Sequence, residues 1–69
     1  MNRDPVNSTS IAAIGYDEQT QTLEVEFRHG GIYQYFDVPV RIHQELLAAS
    51  SIGRYVAEQI KGAYRFARA

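Results

Sequence analysis

Ten consecutive residues, Gly30-Gly31-Ile32-Tyr33-Gln34-Tyr35-Phe36-Asp37-Val38-Pro39, constrain the fold of this chain more than any other segment. The glycines supply the positive φ that a tight hairpin needs, and an aromatic run follows at strand period. Asp37-Val38-Pro39 then reads as a helix start, with a carboxylate able to cap free amides and a proline ring pre-set for the first helical turn. A strand must therefore precede the glycines, and a helix must follow the proline.

Upstream, Thr22 to Arg28 supplies that strand, because Leu23, Val25 and Phe27 alternate with Thr22, Glu24, Glu26 and Arg28. One face is apolar and the other wet. Ser8 to Tyr16 forms an earlier strand, with Ala12, Ile14 and Tyr16 on one side, and Asp17 to Gln21 is a polar loop. Register depends on the hairpin. A three-residue loop, His29-Gly30-Gly31, sets Phe27 against Tyr33, Val25 against Tyr35 and Leu23 against Asp37, with Glu26 and Gln34 opposed on the other side. Both tyrosines then join the apolar face, whereas a two-residue loop would place them among the glutamates.

Downstream, Ile42, Leu46 and Ala49, with His43 and Leu47, form a stripe at helical spacing that ends near Ala49. Ser50 and Ser51 can end that helix and cap the next. On a second helix, Arg54, Glu58, Lys61, Arg65 and Arg68 share one face, opposite Ile52, Val56, Ile60, Ala63 and Ala67. Gly62 costs a helix about 1 kcal/mol relative to alanine, and Tyr64 to Arg68 also alternates as a short edge strand would, so the sequence leaves both readings of the C-terminus open. Residues 1–7, with Pro5 and no apolar periodicity, read as a flexible tail before a single domain at 8–69. The expected architecture is α+β: a three-stranded antiparallel meander, then two helices packed on one face, with the C-terminal edge strand as a variant.

At 69 residues the chain has room for one small core. It contains no cysteine, which excludes disulfides, thiolate zinc sites and a thiol nucleophile. No segment has signal-peptide or membrane-span character, and a soluble cytoplasmic protein is expected. The two histidines, His29 and His43, lie apart from any cluster at metal-ligand spacing. Glu24 and Glu26 share a strand face with no device to separate their pKa values, Ser50 and Ser51 lack a neighbouring base, and the glycine pair joins two strands instead of opening a helix on a phosphate. The expectation is a non-enzymatic binding domain without metal, cofactor or small-molecule substrate.

Charge is unevenly spread. Through residue 40 two arginines face six carboxylates, and after it five cations face two carboxylates. The basic half suits an anionic partner, RNA or single-stranded DNA, with Arg54, Lys61, Arg65 and Arg68, helped by Arg41, on phosphates and Tyr33, Tyr35 or Tyr55 stacked on bases. A pI near 6.0 limits such binding to a few cationic contacts. The alternative is a protein-interaction module that uses a free sheet edge, or the acidic face of Asp17, Glu24 and Glu26, to meet a basic partner or a second copy.

Ser10-Ile11, Ile14-Gly15-Tyr16-Asp17, Gly30, Tyr33-Gln34-Tyr35, Val38-Pro39, Ala49-Ser50, Gly53 with Tyr55, Ile60 and Tyr64 occur in an order and spacing that resembles the KTSC domain, from about Ser8 to Arg68. That family occurs alone in short bacterial and phage proteins and at the C-terminus of some lysyl-tRNA synthetases, and Tyr33 and Tyr35 match its central Tyr-x-Tyr motif. By its association with synthetases, the resemblance implies RNA binding. The chain departs from the family pattern at Val56-Ala57, where an aromatic and an asparagine are expected, and at His43, where another aromatic is common.

Overall fold

The computed structural model describes all 69 residues. Strands β1 (Asp4–Pro5), β2 (Ile11–Asp17), β3 (Thr22–Phe27), β4 (Ile32–Tyr35) and β5 (Phe66–Arg68) form one sheet in the order β1-β2-β3-β4-β5. Every neighbouring pair is antiparallel. Helix α1 (Val40–Ala48) and the short α2 (Ile52–Tyr55) follow β4, and α2 runs on as a π-helical segment, Val56–Ile60. The fold is α+β, as the sequence patterns require, with five strands in place of the expected meander of three.

The β3–β4 hairpin does reverse in three residues, but they are Arg28, His29 and Gly30. The Phe27 N–H donates to the Gly31 carbonyl at 3.0 Å and the Gly30 N–H to the Phe27 carbonyl at 3.1 Å, with Gly30 at a φ of +117°. Moving the loop one residue toward the N-terminus shifts the pairing by two, so Val25 faces Tyr33, Leu23 faces Tyr35 and Glu24 faces Gln34. A shift of two preserves the parity of the pleat. Both tyrosines therefore stay on the apolar face.

β2 carries a bulge: Ile11 pairs with Phe27 and Ala13 with Glu26, which leaves Ala12 as the extra residue. The bulge brings Ile11 onto the same face as Ile14 and Tyr16, and it leaves Ala12, expected on that face, half-exposed. Beyond β2 lies the segment expected to be a tail without regular structure. Instead, Asp4 and Pro5 pair with Ile14 and Ala13, a position at the sheet edge where proline's missing N–H costs no ladder bond.

Asp37 does not cap α1. It turns the chain with a φ of +59°, and its carboxylate meets Arg65 at 3.0 Å. Pro39 takes the cap position, its carbonyl accepting from the Ile42 and His43 N–H groups. Ser51 behaves as its sequence position suggests, accepting the Arg54 N–H at the start of α2. Leu46, Val56 and Ile60 from the helical layer pack on Ile11, Ile14, Leu23, Val25, Phe27, Tyr35 and Val38 to form the core. The helix ends at Ile60, beyond which Lys61 takes extended backbone; Gly62, at a φ of +80°, carries the turn on, and the following residues return to the sheet as β5. No helix is long and apolar enough to cross a membrane.

Candidate functional site

Because the helix stops at Ile60, the basic helical face of Arg54, Lys61, Arg65 and Arg68 does not form. Its members separate. Arg54 meets Glu58 at 3.0 Å, Arg41 meets Glu45 at 3.3 Å and Arg65 meets Asp37, all in exposed ion pairs. Arg65 also lies over the Phe36 ring at 5.5 Å. Tyr55 is turned toward α1, where its hydroxyl donates to Glu45 at 2.9 Å.

Lys61 and Arg68 behave differently, since neither has a carboxylate partner. Each sits over an aromatic ring, Lys61 Nζ 5.0 Å from the Phe27 centroid and the Arg68 guanidinium 5.7 Å from that of Tyr33. The sheet explains the convergence. β3, β4 and β5 are neighbours, Tyr33 pairs with Arg68 and Tyr35 with Phe66, and the helix end lays Lys61 and Gly62 alongside. A cleft of about 250 Å³ results, lined by Phe27, His29, Tyr33, Tyr35, Lys61, Gly62 and Phe66.

The rings are mutually oriented. Tyr33 meets Phe27 edge-on, with centroids 5.6 Å apart and an interplanar angle of 84°. Phe66 tilts against both tyrosines at 5.9 Å, and His29 stacks on Phe27 at 5.5 Å. Phe66 is 59 % exposed, whereas Tyr35 is 3 % exposed. Burial, reinforced by Tyr33, pushes the Tyr35 phenol above its ordinary pKa. The cleft thus offers ring faces and edges to a flat apolar group, with two free cations on its rim. Phe27, His29, Gly62 and Phe66 escape sequence reasoning as site residues. The alternation of Tyr64 to Arg68 is the local signal that points to β5.

The acidic sheet face is not open. Arg3, reaching from just before β1, donates to the carboxylates of both Glu24 and Glu26, and Gln34 Nε2 donates to Glu24 at 2.9 Å. Glu24, expected on a wet face, is only 5 % exposed. Burial pushes its carboxyl upward, but the hydrogen bonds from Gln34 and Arg3 outweigh that and hold it below the ordinary carboxylate range. Asp17 accepts the Gln19 N–H in a turn. Of the residues suggested for a basic protein partner, only Asp17 keeps an unpaired charge.

Comparison with known proteins agrees with this architecture. The KTSC domain family model matches residues 7–64. A crystal structure of a KTSC domain protein from Yersinia pestis superposes with a TM-score of 0.96 at 43 % identity, covering 99 % of this chain and 96 % of that one. A protein of Stutzerimonas stutzeri is 43 % identical over 61 residues, spanning 88 % of this chain and 86 % of its own length. A lysine–tRNA ligase from a Nostoc species is 45 % identical over 56 residues, which are 81 % of this chain but 10 % of the ligase. The chain belongs to the KTSC domain family.

Proposed function

We propose that this KTSC domain is a non-enzymatic module that binds single-stranded RNA or DNA, seating a base in the aromatic cleft while Lys61 and Arg68 contact the adjoining phosphates. The observation that carries this reading is the coincidence of the two unpaired cations of the C-terminal half with the cluster of Phe27, Tyr33, Tyr35 and Phe66. Sequence-tolerant single-strand binders combine these ingredients, with stacking worth about 1–3 kcal/mol per base. The similarity to part of a lysine–tRNA ligase supports RNA as the partner. Two phosphate contacts imply modest affinity and a shallow salt dependence, with a log–log slope of about −1.4.

Fluorescence anisotropy of a labelled single strand, titrated at low salt, tests this. The wild type should saturate, Lys61→Glu/Arg68→Glu should not, and Arg54→Glu, whose charge is already spent on Glu58, should bind as the wild type does. Absence of wild-type binding at low salt would refute the reading. A second reading, protein association by strand addition, is supported by the free outer edge of β5 and the exposed Phe66. It predicts partner capture that survives charge reversal at Lys61 and Arg68.

A further inference from the structure

Three of the tyrosine hydroxyls can be sorted by what they touch. Tyr16 donates to the Val38 carbonyl and Tyr55 to Glu45. Tyr35 is 3 % exposed, yet its hydroxyl has no hydrogen-bond partner in the chain. Every fully enclosed polar side-chain atom of this protein is hydrogen-bonded. The unpartnered hydroxyl of so buried a ring therefore keeps some contact with solvent, and the cleft beside Phe27, Tyr33 and Phe66 is the one that Tyr35 lines. A polar atom in an aromatic floor is costly to cover with an apolar group and favourable to cover with a polar edge.

We propose that Tyr35 is the residue that senses the base: its hydroxyl hydrogen-bonds a ring-edge donor or acceptor of a nucleobase held among Phe27, Tyr33 and Phe66. This rests on the nucleic-acid reading above and deepens it by naming the contact. The cleft, at about 250 Å³, lies below the range of drug-sized sites, which suits one planar base and not a folded nucleotide. A phenol both donates and accepts. Every base offers one or the other on its edge, so the contact separates bases from no base more strongly than it separates one base from another.

The test uses a short labelled single-stranded RNA and the same backbone with its bases replaced by abasic spacers, at low salt, with wild type, Tyr35→Phe and Tyr55→Phe. Tyr35→Phe keeps the ring and removes a hydroxyl without a protein partner, so its melting temperature should equal that of the wild type. Its affinity for the base-bearing strand should fall about 3- to 10-fold. The abasic strand should bind wild type and Tyr35→Phe equally weakly, and Tyr55→Phe should bind RNA as the wild type does. Undiminished RNA binding by Tyr35→Phe would overturn the role of Tyr35 and leave the nucleic-acid reading intact. A wild type that binds no RNA would overturn both. A lowered melting temperature for Tyr35→Phe would show that the hydroxyl serves the fold, and would overturn the proposal by that route.

Discussion

Tyr33 and Tyr35 sit two residues apart on one strand face, yet they carry different loads. Tyr35 is part of the buried core and Tyr33 packs against that core from a half-exposed position. Tyr35→Ala should therefore cost about 3 kcal/mol or more, as large-to-small changes at buried aromatics do, while Tyr33→Ala costs about half as much and leaves a folded domain. Urea denaturation of both variants measures the difference. The Arg3–Glu24 pair makes a prediction about pH. Glu24 titrates below its unfolded value, so its ionised form stabilises the fold above the ordinary carboxylate pKa of about 4.3. That stability disappears as pH falls through the lower, folded value. Wild type should thus lose melting temperature with acidification below about pH 4.3 more steeply than Glu24→Gln, which should be less stable at neutral pH and flatter in acid. Arg3→Ala should lower the neutral-pH melting temperature by several degrees, because it leaves a carboxylate that is 5 % exposed with Gln34 as its remaining partner.

At the scale of elements, the fate of the chain after Lys61 decides whether a site exists. Gly62 holds a φ of +80°, a conformation that costs an L-residue about 1–2 kcal/mol. Gly62→Ala should therefore destabilise the domain by about 1–2 kcal/mol and loosen β5, weakening oligonucleotide affinity more than the loss of stability alone accounts for. Denaturation and anisotropy on the same variant separate the two effects. This is also where the sequence was hardest to read. Ile52, Val56, Ile60, Ala63 and Ala67 keep helical spacing through the turn, so periodicity carries the helix on to the C-terminus. Gly62 and the alternation of Tyr64 to Arg68 oppose it locally, and the pairing of Phe66–Arg68 with β4, a contact distant in sequence, decides between the two. By contrast, the tyrosine face was legible despite a misplaced loop, since the register moved by two and parity survived. β1 was illegible because two paired residues leave no periodic signal, and the Ala12 bulge because a single inserted residue reverses the alternation that defines a strand face.

For the molecule as a whole, the ion pairs rearrange the charge map that the sequence suggests. On the outer acidic face Arg3 pairs with both Glu24 and Glu26, and Arg41, Arg54 and Arg65 are held by Glu45, Glu58 and Asp37. The cations left without a carboxylate are Arg28, whose Nε donates to the Ser8 carbonyl, and Lys61 and Arg68 at the rim of a small aromatic cleft. Tyr33, Tyr35, Lys61 and Arg68 stand out in the sequence and Phe27, His29, Gly62 and Phe66 do not, because their convergence depends on a five-strand order that brings the hairpin, the helix end and the C-terminus together. A domain with so few free cations should bind weakly and at one place. The most direct test is an amide NMR titration of the labelled domain with a short single-stranded RNA at low salt. Binding in the cleft predicts saturable shifts confined to residues 27–35 and 61–68. Shifts centred on β1, or on the outer face of α1, would contradict it, as would a spectrum that RNA leaves unchanged.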